Sequence, residues 1–205
     1  MKAILLSIKP KHIANILNGE KTIEIRKTMP KCDLPITVYI YCTKGKPRAI
    51  LTDKGCILAN KLVVDGNSQY KSGYALDGQV VAKFKLKKIE KIQVGFDEDS
   101  WEHYYFITEK ELTEKACVSS NELNNYLKGE NGYAYLVEDL VIFDIPKELS
   151  EFHKIGYKNR LERELSFSGD IGGLVKDIVD YWYQIKKAPQ SYCYVEIEED
   201  KNDID

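Results

Sequence analysis

Short strand-like runs, without a regular alternation of strands and helices, dominate this sequence. Their β-branched and aromatic residues favour strands, and the runs are Ala3–Ser7, Thr22–Arg26, Pro35–Thr43, Val80–Ile92, Tyr133–Ile145 and Tyr192–Ile197. Doubly wound folds need strands and helices that alternate regularly along the chain. The pattern therefore predicts an α+β fold built on a curled or closed β-sheet, flanked by short helices.

The helical signals are few and brief. Lys9-Pro10 opens a short helix whose apolar stripe is Ile13, Ile16 and Leu17, and Asn18-Gly19 ends it. Ser119 and Glu122 form a capping box before a second helix. A third is expected over Leu174–Ile185. Its Tyr181, Trp182 and Tyr183 can pack on the core or contact a partner, and the sequence favours packing on the core.

The chain length predicts one domain, residues 1–197, with insertions at about 48–74 and 151–187 and an acidic tail at 198–205. Asp53-Lys54-Gly55 is a hairpin turn between Arg48–Thr52 and Cys56–Val64. Five scattered cysteines favour buried thiols over disulfides or a zinc site. The apolar run at the N-terminus is too short for a signal peptide or a membrane span, so a cytoplasmic protein is expected.

Charge is unevenly distributed along the chain. The whole sequence carries a net charge of -2, yet residues 1 to 48 hold ten Lys or Arg against three Asp or Glu. A basic segment in an acidic protein indicates a local anion-binding surface. The alternative is a solvated lysine face, and the residues alone leave both open.

The stretch NGEKTIEIRK, residues 18 to 27, combines alternating apolar residues with opposite charges. In a strand, Ile23 and Ile25 face the core, while Thr22, Glu24 and Arg26 share the other face. A carboxylate and a guanidinium side by side offer acceptors and donors to a nucleobase edge. The alternative is a structural salt bridge.

The stretch SIKPKHIANILNGEKTIEIRK resembles the ASCH domain, a branch of the PUA-like superfamily of small β-barrels associated with RNA. Gly19, Lys21, Glu24 and Arg26 match the family's G-x-K-x-x-E-x-R motif, preceded by Ser7, Lys9 and Pro10. YLKGENGYAYLVED and APQSYCYV are weaker echoes of later strands. The resemblance implies a PUA-like barrel, here with an added C-terminal helix. It also implies that the domain binds RNA or a modified nucleotide and acts in the control of translation or transcription.

Residues expected to bind this ligand lie on the first two strands after the helix or next to them. They are Lys9, Gly19, Lys21, Thr22, Glu24, Arg26, Lys27, Tyr39 and Tyr41. Lysines would neutralise phosphate, and tyrosines would stack on a base. Tyr39 and Tyr41, like Tyr133 and Tyr135, fit a core position equally well.

Some ASCH-like proteins are amidohydrolases that act on N4-acylated cytidine through a lysine, a threonine and a glutamate. Lys21 matches the lysine, but Glu24 stands at the threonine position. If catalysis occurs there, Lys21 would act as base, Glu24 as proton carrier and Arg26 as oxyanion stabiliser. The alternatives to a binding module are therefore this hydrolase, a ribonuclease, or a protein-interaction domain using the 174–185 helix.

The sequence indicates no metal or cofactor. GxSxG, P-loop and HExxH motifs are absent, and GDIGG at 169 to 173 is interpreted as a hinge. His12, His103 and His153 are expected at the surface or as hydrogen-bonded core residues.

Overall fold

A computed structural model describes residues 1–60, 73–100, 102–105 and 109–197. In chain order, its strands are β1 Lys2–Ile8, β2 Ile23–Arg26, β3 Ile36–Cys42, β4 Arg48–Thr52, β5 Gly55–Ala59, β6 Gly73–Ala75, β7 Val80–Leu86, β8 Ile89–Ile92, β9 Val94–Asp97, β10 Glu102–Tyr105, β11 Gly132–Leu136, β12 Glu138–Lys147, β13 His153–Lys154 and β14 Tyr192–Glu196. The helices are α1 Pro10–Leu17, α2 Glu109–Ala116, α3 Ser120–Leu127, α4 Tyr157–Ser168 and α5 Gly172–Tyr183. The predicted α+β class is confirmed.

A six-stranded sheet forms the centre of the molecule, in the order β12-β7-β3-β1-β14-β13. β1 pairs with β3 in parallel and with β14 in antiparallel. Because a parallel pair needs a crossover connection, the chain leaves β1 through α1 and β2 before it returns as β3. That crossover carries the NGEKTIEIRK stretch across the end of the sheet.

A three-stranded sheet, in the order β2-β11-β8, holds this crossover in place. Ile23 and Ile25 of β2 pack with Leu112 of α2 and with Leu123 and Leu127 of α3 in one buried cluster. The opposite face of β2 is thereby left for the charged side chains, as the alternation predicts.

Several boundaries differ from the predictions. Val80–Ile92 is two strands in different sheets, separated at Lys87, which pairs with Glu138 and Asp139. Pro146 does not end its strand, because β12 is at the edge of the large sheet, where a missing N–H is tolerated. Glu102–Tyr105, which is not among the predicted strands, forms β10 and pairs in antiparallel with β9.

The C-terminal insertion also differs from the prediction. It contains two helices, since α4 precedes the predicted one, and the GDIGG hinge is a short helical turn between them. Packing of Tyr181 and Trp182 on the core is wrong: these side chains are 59% and 67% exposed. The hairpin at Asp53-Lys54-Gly55 is confirmed as β4–β5.

Parts of other predictions lie outside the described residues, namely the end of the Cys56–Val64 strand and the acidic tail. The division into a single domain ending at residue 197 stays a prediction. All five cysteines are free, two of them buried. Within the described ranges, no helix is long and apolar enough to cross a membrane, and no cluster of His, Cys, Asp and Glu could hold a metal ion.

Candidate functional site

A tight turn after α1 aims the charged stretch at the centre of the molecule. The helix ends at Asn18, and Gly19 takes a φ of 75°, in the left-handed region that glycine enters at little cost. The N–H groups of Glu20 and Lys21 then both donate to the carbonyl of Asn15. The turn therefore fixes the direction in which Lys21 leaves the backbone.

Three charged side chains meet, buried, at β2: Glu24 and Arg26 come from the strand face opposite Ile23 and Ile25, and Lys21 comes from the turn before the strand. Lys21, Glu24 and Arg26 are only 3%, 6% and 7% exposed. Glu24 Oε2 lies 3.4 Å from Lys21 Nζ, and Glu24 Oε1 lies 3.1 Å from Arg26 Nε. We call these three residues the charged floor. One carboxylate between two cations leaves this buried group with a net positive charge.

Backbone and side-chain acceptors fix both cations from outside the strand. Lys21 Nζ donates to the carbonyl of Ala116 at the end of α2, at 2.7 Å. Arg26 Nη2 donates to the carbonyl of Ser7 at 2.6 Å, and Nη1 donates to Ser191 Oγ at 3.3 Å. The charged floor therefore joins β1, β2, α2 and the segment before β14.

These contacts leave hydrogen-bonding capacity unused in the charged floor. A guanidinium has five N–H donors and a carboxylate about four acceptor positions. Arg26 uses two donors on Ser7 and Ser191, and its Nε faces Glu24 without the alignment of a hydrogen bond. Glu24 contacts one cation through each oxygen. Donors and an acceptor remain side by side for a ligand.

The charged floor lies at the base of a cleft of about 610 Å³. α1, α3 and the segment before β14 form its walls. The lining residues are Ser7, Ile8, Lys9, His12, Lys21, Glu24, Ile25, Arg26, Thr43, Val118, Glu122, Leu123, Asn125, Tyr126, Gln190 and Ser191. Its volume is within the range typical of small-ligand sites.

Burial and charge shift the proton equilibria of several lining groups. Burial lowers the pKa of Lys21, while the charge and hydrogen bond of Glu24 oppose the shift. Burial and the charge of Lys21 lower the pKa of His12. Burial raises the pKa of Tyr126. The imidazole of His12 is therefore neutral at pH 7, and Tyr126 keeps its phenolic proton.

At the rim, Glu122 is already committed to two structural contacts. It accepts a hydrogen bond from the N–H of Ser119 in the predicted capping box, which is confirmed, and from Lys11 of α1. Lys11 and Ser119 lower the pKa of Glu122 to about 2. This pair connects α1 to α3 at the surface of the protein.

The structure brings four of the predicted ligand-binding residues together, namely Lys9, Lys21, Glu24 and Arg26. Gly19 forms the turn described above. Thr22 is exposed, and its N–H donates to the carbonyl of Lys115. Lys27 is also exposed, with Nζ 3.6 Å from Glu130 Oε2. These last three residues lie outside the cleft lining.

Both tyrosines of β3 lie elsewhere. Tyr39 and Tyr41 belong to a buried cluster on the other side of the large sheet. The ring of Tyr39 meets the ring of Phe152 edge-on, with centroids 5.0 Å apart. Their core position, one of the two alternatives, excludes them from the cleft. Tyr135 is likewise fully buried, with its hydroxyl donating to the carbonyl of Thr28.

Most of the lining residues were not predicted as ligand contacts, among them His12, Tyr126 and Ser191. Tyr126 is the aromatic ring in the cleft, 41% exposed, with Lys27 Nζ 5.8 Å from its ring centre. Its spacing in α3 marks it only as part of a helix. Ser191 is 165 residues from Arg26 in sequence, so no local pattern could have linked them.

This chain resembles known proteins in structure. No protein-family model matches the sequence, and no curated protein matches it. Similar solved structures are crystal structures of ASCH proteins from Zymomonas mobilis. A tyrosine-to-phenylalanine mutant of ZmASCH has 16% identity and a TM-score of 0.49, covering 96% of this chain and 91% of that one. The ASCH protein itself has 16% identity and a TM-score of 0.48, covering 95% and 87%.

Proposed function

We propose that the cleft binds the base of a nucleoside, free or as part of RNA, and that the charged floor recognises the polar edge of that base. The proposal depends on one observation: Lys21, Glu24 and Arg26 converge, buried, at the base of a cleft of about 610 Å³. An isolated surface ion pair would contribute little to any function. Here three charges share a water-poor site that keeps donors and an acceptor available.

Polar groups of a nucleobase match this site in kind. A base edge presents N–H donors beside ring nitrogen and carbonyl acceptors. Glu24 can accept from such a donor while Arg26 or Lys21 donates to the neighbouring acceptor. Tyr126 provides an aromatic surface for the face of the same base. The cleft thus offers both components of base recognition, edge contacts and stacking.

The rim of the cleft favours a ligand with few phosphates. Lys11 is paired with Glu122, and Lys27 is paired with Glu130. A protein that neutralises several phosphates loses affinity steeply as salt rises. Because these two lysines beside the cleft already have acidic partners, Lys9 is the lysine of the upper lining that can meet a phosphate. We therefore expect affinity for a nucleoside and for short single-stranded RNA to change little with salt.

Titration calorimetry with the four ribonucleosides, N4-acetylcytidine and a short single-stranded RNA tests this proposal. We expect saturable binding of at least one nucleoside at a single site per chain. The Glu24→Gln variant, which keeps the side chain's size and removes its charge, should lose that binding. Absence of nucleoside and RNA binding in the folded protein would overturn the proposal.

Removal of the Tyr126 ring is expected to weaken nucleoside binding. Stacking of a base on an aromatic side chain contributes about 1–3 kcal/mol, so Tyr126→Ala should weaken nucleoside binding about tenfold or more. Tyr74→Ala is the matched control, since Tyr74 is 39% exposed and donates to the carbonyl of Asp144 away from the cleft. Equal affinities of the two variants would exclude Tyr126 from the binding surface.

Hydrolysis of an N4-acylated cytidine is the second candidate function. The observation that favours it is the burial of Lys21, which lowers the pKa of its amine beside a carboxylate able to carry a proton. A neutral amine can act as a general base. Ser7, Thr43 and Ser191 supply the hydroxyl groups of the lining, while Glu24 occupies the motif's threonine position.

Incubation with N4-acetylcytidine separates the two candidates. A binding module should leave the amide intact, and this is the result we expect. A hydrolase would release acetate at a rate that rises with pH, because Lys21 must lose its proton to act as a base, and Lys21→Ala would abolish the release. The exposed Lys128 provides the control substitution, Lys128→Ala.

A further inference from the structure

The outer face of the C-terminal helices carries large apolar side chains that are exposed in the single chain. They are Phe167, Ile171, Leu174, Ile178, Tyr181 and Trp182, with exposures from 49% to 85%. Leu174, Ile178 and Tyr181 follow one another in α5 at spacings of four and three residues, which places them along one line of the helix, and Ile171 precedes them at the N-cap. We call these four residues the α5 stripe. Contiguous apolar surface of this kind marks an interaction site.

The opposite side of α5 is firmly attached to the protein. Val179 is buried, and Asp180 accepts a hydrogen bond from the hydroxyl of Tyr157. Just beyond the helix, the N–H of Ile185 donates to the carbonyl of Phe152 at 2.8 Å. The orientation of α5 is therefore fixed from behind, while its stripe is left uncovered by the residues that the structure describes.

We propose that the α5 stripe is the contact surface of a homodimer, in which α5 of a second copy lies antiparallel to it. Charge complementarity favours this occupant. Asp170 is exposed just before the start of α5, and Lys186 and Lys187 are exposed just after its end. Lys176 and Asp177, adjacent and exposed near the middle of the helix, offset each other in charge. In an antiparallel pair, the basic end of each copy faces the acidic end of the other. A second copy therefore matches the pattern at both ends at once.

The area of the face agrees with the requirement of a stable dimer. Each large aromatic side chain presents on the order of 200 Å², and Phe167, Tyr181 and Trp182 are each more than half exposed. Together with the three aliphatic side chains, their exposed parts sum to on the order of 800 Å² per copy, which is the standard contribution of one partner. This area is reached when the contact buries Trp182 beside the stripe and Phe167 of α4 as well as the stripe itself. Lys186 extends the surface, with Nζ 3.1 Å from the centre of the Tyr181 ring.

A two-fold axis across the stripe gives self-consistent contacts. The same patch must serve both copies in such an interface. With the axis near the middle of α5, Leu174 of each copy faces Ile178 of the other, and Ile171 faces Tyr181. Apolar residues then meet apolar residues along the whole stripe.

Sedimentation equilibrium of the full chain tests the proposal. We expect a dimer, and Ile178→Glu should weaken its association at least tenfold by placing a charge in the apolar contact. Ile145→Glu is the matched control, because Ile145 is 82% exposed on β12 and should leave association unchanged. Circular dichroism confirms that each variant is folded, and Leu174→Lys provides a second disruption of the stripe.

A charge exchange tests the antiparallel arrangement. Asp170→Lys should weaken the dimer, and adding Lys186→Asp in the same chain should restore it. A wild-type protein that is monomeric at every concentration would overturn the proposal, as would a monomer that binds lipid vesicles or another protein through this face. Nucleoside affinity should be unchanged by Ile178→Glu, so failure of the dimer leaves the proposed function separately testable.

Discussion

Replacing Glu24 with alanine is expected to lower the free energy of unfolding by about 3–5 kcal/mol, the usual cost of removing one partner of a buried ion pair. Glu24 is the single carboxylate between Lys21 and Arg26, at 3.4 Å and 3.1 Å. Its loss leaves two buried cations facing each other without an intervening anion. For a chain of 205 residues, this corresponds to a fall of about 10 °C in the melting temperature.

Glu130→Ala is the matched control for this substitution. Glu130 also pairs with a lysine next to β2, since its Oε2 is 3.6 Å from Lys27 Nζ, but its side chain is 71% exposed. Exposed pairs contribute about 0–1 kcal/mol, so the control should unfold almost like the wild type. Urea unfolding of both variants gives the comparison. Equal stabilities would show that the charged floor is accessible to water and not buried.

Local alternation was enough to predict the orientation of Glu24 and Arg26 in the charged floor, although not of Lys21, which precedes the strand, and Thr22 lies outside the cleft. Ile23 and Ile25 enter the core between α2 and α3, and the residues between and after them are placed on the other face by the two-residue period of a strand. The helix stop at Asn18-Gly19 was equally predictable because it depends on neighbouring residues alone. Both predictions are confirmed.

The cleft walls depend on distant parts of the chain, which no local pattern reveals. Tyr126 lies about 100 residues beyond β2 in sequence. It enters the cleft because Leu123 and Leu127 pack α3 against the three-stranded sheet β2-β11-β8. For Tyr39 and Tyr41, the two-residue period of the strand predicts that they share a face, but it does not say which face of the sheet this is. The choice was decided by contacts with Phe152 and Val80, far away in sequence.

The exposed stripe of α5 shows a different limit of sequence patterns. Apolar residues at helical spacing indicate that this face of the helix packs against something, either in the same chain or in an assembly. The pattern does not say whether the cover comes from the same chain. Val179 is covered internally, whereas Leu174 and Ile178 on the neighbouring stripe are exposed. The exposure of Tyr181 and Trp182, which the sequence pattern did not predict, therefore supports the proposed dimer contact.

Arg26→Lys is expected to weaken nucleoside binding about 100-fold while the protein remains folded. The guanidinium reaches the Ser7 carbonyl, Ser191 Oγ and Glu24 from one rigid plane. A lysine ammonium keeps the charge next to Glu24 but cannot make these contacts in the same geometry. The base edge would then lose its oriented donors, and the segment carrying Ser191 would lose its connection to β2.

Arg48→Lys is the control that separates binding from a general effect of the substitution. Arg48 Nε lies 2.6 Å from Asp77 Oδ2, so this residue also pairs with a largely buried carboxylate, but it does not line the cleft. Calorimetry with the nucleoside that binds the wild type should give an unchanged affinity for Arg48→Lys. A folded Arg26→Lys variant that binds as tightly as this control would mean that Arg26 only holds β1, β2 and the Ser191 segment together. Recognition of the base would then depend on Glu24 and Lys21 alone.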